Sequence, residues 1–333
     1  MRVPALLAWL VGAAILGALI AFNQPQHLLD GIIALRGWLA LVVLFHAVPL
    51  WLDARAWQLL FRHRPPFLTL FFFRWIAEGL NGLLPLPYLG ELERARLGSR
   101  LTGNSEGAAT VVVDVTLGVV TQALFALMGL ALLGTLPIAR GLIGVLIPAI
   151  ALVGTSGIAF YFLQRAGLFA LAGRIIHRLS VSARTSFDIG IAQALDSRVR
   201  EVYGVPRAVM WAAIWRLAGW IAGAGEAWIV FFALGHPISV ANAIILESLS
   251  QAARTAAFFI PGGLGVQDGA LLLLSAQLGL GPETGLVLAL AKRFRELSLG
   301  IPAIVAGYVI ETRNLVRVKT AVPVSRDESS LPT

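Results

Sequence analysis

A chain of 333 residues that is 58% apolar and only 13% charged has too little polar surface to cover a water-facing globule. A soluble enzyme, a disordered chain and a nucleic-acid binder are excluded, and the absence of Cys removes disulfides, thiolate metal sites and cysteine nucleophiles. The net charge of +8 resides mostly in basic residues flanking hydrophobic runs, the pattern that orients helices across a bilayer.

In chain order, the first apolar run, Val3–Phe22, follows a single basic residue, Arg2, and lacks a small-x-small cleavage pattern. It is expected to be an uncleaved first span. A polar stretch at 23–36 leads to a second span at 37–60, and then to the basic loop Arg62-His63-Arg64-Pro65-Pro66. An apolar segment at 67–84 breaks at Pro85 and Pro87 and runs into a charged helix at 90–101. Spans at 107–134 and 141–163 follow. Residues 164–204, with an amphipathic part at 168–179, are expected to lie as interfacial helices. The remaining apolar segments are 207–235, 238–260, 266–280 and 283–311, several of these runs reaching the ~20 residues that cross a bilayer.

Parity decides between layouts. If every segment up to 163 crosses, the Arg-rich 164–204 stretch falls outside, against the charge rule. If 67–101 instead dips in and returns, 164–204 falls inside, as does the basic tail. The sequence therefore predicts an all-α polytopic membrane protein with about six full spans plus two re-entrant helical hairpins, a layout open to an inverted repeat. Residues 1–312 form one membrane domain and 313–333 a short polar cytoplasmic tail, with both termini cytoplasmic.

Charged side chains in hydrocarbon cost on the order of 2.5–3.5 kcal/mol each, so they face a cavity or one another. In the first hairpin Arg74, Glu78 and Asn81 fall on one helical face, and in the second Glu247, Ser250, Gln251 and Arg254 do the same. Each stripe carries an acid, an amide and an Arg and precedes a breaker, the second being Pro261-Gly262-Gly263-Leu264-Gly265. Broken helices with polar faces in two corresponding segments point to a midplane transport site. The competing reading is an ion pair that only locks helix packing.

Secondary candidates are Glu91 and Arg94, where an Arg could meet a headgroup phosphate or simply face solvent, and Asp114, expected to face the bundle. Lys292-Arg293-Phe294-Arg295-Glu296 cannot face lipid at mid-depth. Arg293 and Glu296 are therefore assigned to an aqueous or headgroup cavity, unless the last span starts after 291. Asp53 and Arg55 are read as snorkelling at a span end. Arg216 and Glu226 lie about 280° apart round a helix and do not pair with each other. The glycines of 262–265 permit positive φ and free amide N–H groups ahead of a helix near Val266, a setting that binds anions. No phosphate-cradling Lys loop, zinc helix or dinucleotide fingerprint occurs. No cofactor and no metal are expected.

The run from Phe258 through Pro261-Gly262-Gly263-Leu264-Gly265-Val266-Gln267-Asp268-Gly269, with Glu247 and Arg254 upstream, resembles the signature of the lysylphosphatidylglycerol synthase transmembrane-region family. Asn81 to Pro85, then Gly90, Glu91 and Arg94, is similar to its first signature, although one Gly rather than two precedes the Glu. Val111-Val112-Val113-Asp114 also fits. The resemblance covers about residues 5–312, and the Gln-Asp-Gly ending is similar to a hopanoid-associated, HpnL-like subgroup. Full lysylphosphatidylglycerol synthases carry a soluble aminoacyltransferase domain after this region, and the sequence extends 22 residues past Glu311, so lysyl transfer is not implied. What is implied is lipid translocation without ATP in a bacterial inner membrane. Membrane lipids, anionic or hopanoid-type, would be the partners, along with proteins of lipid synthesis. A membrane-embedded headgroup transferase and a non-catalytic scaffold are the competing expectations.

Overall fold

The computed structural model describes residues 3–22, 25–84, 88–136, 140–168, 171, 189–257 and 260–321, and among these there are helices and turns but no strand. The first helices are α1 (Val3–Phe22), α2 (Pro25–Leu35), α3 (Leu39–Phe45) and α4 (Ala47–Gln58). The polar stretch at 23–36 is thus largely helical, and the second span is two helices jointed at His46. Leucines and isoleucines at helical spacing offset the few polar residues of α2, burying Leu28 and Leu35.

Pro66, extended at φ −54° and ψ 127°, opens α5 (Phe67–Leu83). Tyr88, in the left-handed region at φ 61°, opens α6 (Leu89–Thr102). Glu91 sits in the first turn of α6 and Arg100 in its last, each complementing the helix dipole. Gly103 ends it at φ 70° and starts the tight return into α7 (Glu106–Gly134), where a Cβ on Gly107 would run into the backbone of Gly98.

There follow α8 (Arg140–Arg165), α9 (Ile189–Tyr203), α10 (Pro206–Ala233) and α11 (Val240–Ala256), the last capped by the Ser239 hydroxyl on the Asn242 N–H at 3.1 Å. A single 3-10 turn at Pro261–Gly263 leads into α12 (Val266–Gln277), and α13 (Pro282–Ala321) is one continuous helix of 40 residues. Lys292 to Glu296 therefore lie well inside a helix. Of the expected interfacial pair, α9 is described and most of 168–179 lies outside the described residues, as do the breakers Pro85 and Pro87 and the end of the polar tail.

Two apolar clusters sit at different levels of the bundle. One gathers Val42 of α3, Leu130 and Leu133 of α7, Val230 and Phe231 of α10, Leu246 and Leu249 of α11, and Leu286 to Ala289 of α13. The other gathers Trp57 of α4, Leu70 of α5, Val111 and Val113 of α7, Val199 of α9 and Ala212 of α10. On α7 the two are separated by Gly118 to Gln122, and on α10 by Arg216 to Gly223. The polar groups concentrate between them.

By length and composition, Leu39–Gln58 and Glu106–Gly134 are the described stretches apolar enough to cross a membrane. On α10, Arg216 and Glu226 interrupt the apolar run, and α13 carries four charges within five residues.

Candidate functional site

A cavity of about 420 Å³ opens between the two apolar clusters. Each helix that walls it contributes residues near its own break or mid-point: His46 at the α3–α4 joint, Asp53 within α4, the inner face of α5, Gly118 and Gln122 of α7, Arg216 and Trp220 of α10, the α11 stripe, and Arg295 and Glu296 of α13. Small residues bring the walls together. A Cβ on Gly118 would strike the Arg216 guanidinium, and one on Gly79 would meet the Ala303 side chain of α13 at 2.8 Å.

Charged groups on this wall are tied into two networks. In the first, Arg74 donates to Asp53 at 2.8 Å and reaches Glu91 at 3.5 Å, while Arg216 lies 3.0 Å from Asp53. Behind them Arg94, fully buried, joins Glu91 at 2.5 Å to Asp114 at 2.6 Å and stacks over the Trp57 ring at 4.7 Å. In the second, Glu226 is reached by His46 at 2.6 Å, Arg295 at 2.7 Å and Lys292 at 3.2 Å. Lys292 also meets Glu247 at 2.6 Å. Glu296 accepts from Arg254 at 2.6 Å and Arg293 at 2.7 Å, and Arg293 continues to Asp268 at 3.1 Å. Most of these ions are buried in a low-dielectric interior, where a lone charge is far costlier than a paired one, while Asp53 and Arg254 stay partly open to the cavity.

The two broken helices are built alike. Each is followed by a residue with positive φ, Tyr88 at 61° or Gly265 at 80°, and then by a helix with an acid at its third position, Glu91 or Asp268. In both, the first amides are satisfied from within the chain. The Asn81 side-chain Oδ1 accepts from the Gly90 N–H at 2.8 Å, and the Asp268 carboxylate accepts from the Gly265 N–H at 2.7 Å.

Of the residues expected from sequence, Arg74, Glu78, Asn81, Glu91, Glu247, Gln251, Arg254, Gly262, Gly263 and Glu296 line the cavity together. Arg94 and Asp114 do not, being sealed behind Glu91 with no exposed surface, so the headgroup contact expected of Arg94 is replaced by a buried ion pair. Arg293 also stands behind the wall, pinned to Asp268 and to the Gly262 carbonyl at 3.0 Å. Pro261 and Gly265 frame the turn. The expected anion-binding amides there are largely spoken for, because Asp268 takes the Gly265 N–H and the Ile260 carbonyl takes that of Gly263 at 2.9 Å. Among the described residues no group of His and carboxylates is arranged to hold a metal ion.

The model of the lysylphosphatidylglycerol synthase TM region matches residues 6–304. The chain belongs to that family. As a family member it is a membrane protein with a lipid-related function. No curated protein and no solved structure matches it.

Sequence reasoning missed four groups of this family member's cavity. Asp53, read as snorkelling, is the shared partner of Arg74 and Arg216. Arg216 and Glu226 were rightly kept apart, yet each anchors a different network. His46, one of five scattered histidines, sits at its centre. A usable signal existed on α10, where Arg216, Gly219, Trp220, Gly223 and Glu226 recur at helical spacing as a third polar and small-residue stripe. For His46 no local signal existed, because its partners are 32, 180 and 249 residues away.

Proposed function

We propose that the chain moves a lipid between leaflets without ATP, passing the headgroup through the charged cavity while the tails stay in the bilayer. The observation that carries this is the meeting of both polar stripes on one cavity, held between two apolar layers. Broken helices that present polar faces to a shared mid-depth cavity are the arrangement of secondary transporters. The Pro-Gly-Gly turn supports it too, since Gly262 approaches the end of α5 so closely that a Cβ there would lie 3.2 Å from the Gly82 carbonyl oxygen. The two hairpins would then be re-entrant from opposite faces and related as an inverted repeat, with about six full spans around them.

A carrier fits better than an enzyme. Each carboxylate on the wall is held by an Arg, by Lys292 or by the His46 ring, which leaves none placed as a free base. Location in a bacterial inner membrane with cytoplasmic termini, and a hopanoid-type or anionic phospholipid as cargo, complete the proposal.

The test is leaflet exchange in proteoliposomes with labelled phospholipid and hopanoid-type lipid. Arg254, a quarter exposed to the cavity and paired with Glu296, is the residue to change. Arg254→Ala is expected to abolish exchange with normal insertion. Wild-type rates in that variant, or no exchange of any lipid by folded wild-type protein, would move the function to a scaffold for lipid-synthesis enzymes.

A further inference from the structure

His46 stands at the joint of α3 and α4 with both ring nitrogens engaged. Nε2 lies 2.5 Å from Glu78 Oε1, and Nδ1 lies 2.6 Å from Glu226 Oε1 and 2.7 Å from Arg295 Nη1. A carboxylate only accepts and a guanidinium only donates, so the two neighbours of Nδ1 ask opposite things of it. With a proton on Nδ1 the ring donates to Glu226 and to Glu78. Without the Nε2 proton, Nδ1–H still donates to Glu226 while Glu78, open to the cavity, turns to water. Both forms are satisfied with small movement, which makes the ring a two-state element.

Charged groups face the ring from the elements packed around it. From α5 the ring faces Glu78, with Arg74 a turn away; from α10, Glu226; and from α13, Lys292, Arg295 and Glu296. Beyond these, α11 supplies Glu247 and Arg254, the turn at α12 supplies Asp268 with Arg293, α7 supplies Asp114, and α4 itself supplies Asp53 with its Arg216 partner. The network containing His46 holds five carboxylates, Glu78, Glu226, Glu247, Glu296 and Asp268, against four permanent cations, Lys292, Arg254, Arg293 and Arg295. It is one positive charge short, and a proton on His46 supplies it. Glu78 is also the most open of these carboxylates, its side chain 39% exposed against 1% for Glu226, so one side of the ring faces the cavity and the other the sealed interior.

We propose that His46 is an exchangeable proton-binding site, loading and releasing its proton to the cavity through Glu78. This deepens the reading of the cavity as a lipid path by giving that path a proton whose occupancy changes the charge of its wall. On release the Nε2 proton, the one that faces Glu78, passes by way of that carboxylate to cavity water, and the ring keeps its Nδ1–H on Glu226. No bond to carbon forms or breaks.

The experiment reads the ring and needs no transport. A protein keeping His46 as its sole histidine (His27→Gln, His63→Gln, His177→Gln, His236→Gln) is labelled with nitrogen-15 histidine, reconstituted, and followed by solid-state NMR between about pH 5 and 9. The expected result is a titration between a ring with two N–H groups and one with a bare Nε2. In the Glu78→Gln version its midpoint moves to lower pH by about one to three units, the effect of removing an adjacent carboxylate. A ring locked in either form across the range overturns the proposal, as does a midpoint indifferent to Glu78→Gln. Both readouts stand whether or not the protein moves lipid, so failure here is distinguishable from failure of the exchange assay.

Discussion

At the scale of single residues, Arg94 illustrates what a buried ion is worth. Its guanidinium is shut between Glu91, Asp114 and the Trp57 ring, and Asp114 has no other partner closer than Arg216 at 3.9 Å. Removing one member of such a pair leaves the other charged and unsolvated, at a cost of about 3–5 kcal/mol, whereas replacing both by apolar groups is far milder. Arg94→Ala is therefore expected to lower stability in detergent by that amount, and Arg94→Met with Asp114→Leu to recover most of it. Thermal unfolding of the three variants checks this, and a single variant as stable as wild type would show that the pair is dispensable. Periodicity alone placed Arg74, Glu78 and Asn81 on one face, and Glu247, Gln251 and Arg254 on another, because helical spacing is local. It misplaced Arg94, whose burial depends on where α7 packs.

At the scale of elements, the Pro-Gly-Gly turn shows two demands meeting at one residue. Gly263 has φ 60°, and a Cβ on it would lie 2.6 Å from Arg254 Cγ. Gly263→Ala must therefore strain the backbone and push the cavity arginine, with an expected cost of about 1–3 kcal/mol and loss of lipid exchange. Gly17→Ala, in α1 with nothing near its absent Cβ, is the control and is expected to leave stability equal or raise it by up to ~1 kcal/mol. Equal behaviour of the two in thermal unfolding would mean that the turn tolerates a side chain. The presence of this turn was legible, since Pro followed by closely spaced Gly stops a helix wherever it occurs. Its chemistry was not. The amides that looked available to an anion are capped by Asp268, three residues ahead, and by the Ile260 carbonyl. The α3–α4 joint has one local signal, Pro49, whose missing N–H and ring break the helix at the Phe45 carbonyl four residues earlier.

For the whole molecule, the layering of apolar, charged and apolar zones fits a chain set across a bilayer, and the topology itself can be read chemically. The sequence has no Cys, so single cysteines report cleanly on sidedness. With about six spans and two re-entrant hairpins, Asn104→Cys and Arg198→Cys are expected to resist an impermeant maleimide applied from outside, while Thr135→Cys and His236→Cys react. Asn104, Thr135 and His236 are exposed and Arg198 is partly so. Asn104 and Thr135 flank α7, whose 29 residues extend about 43 Å, enough to cross. Labelling of those two from the same side would dismantle the layout.

Composition by itself determined that this chain lives in lipid, because 58% apolar residues leave too little polar surface to face water, and long unbroken apolar runs determined that it crosses as helices. Spacing by itself determined which side chains share a face of each broken helix. Only the tertiary structure decided their partners. A buried charge selects the nearest opposite charge in space, and Glu226, His46 and Arg295 come from helices far apart in the chain that converge only after packing. Sequence distance carries no information about that convergence, so the faces were readable and the cavity between them was not.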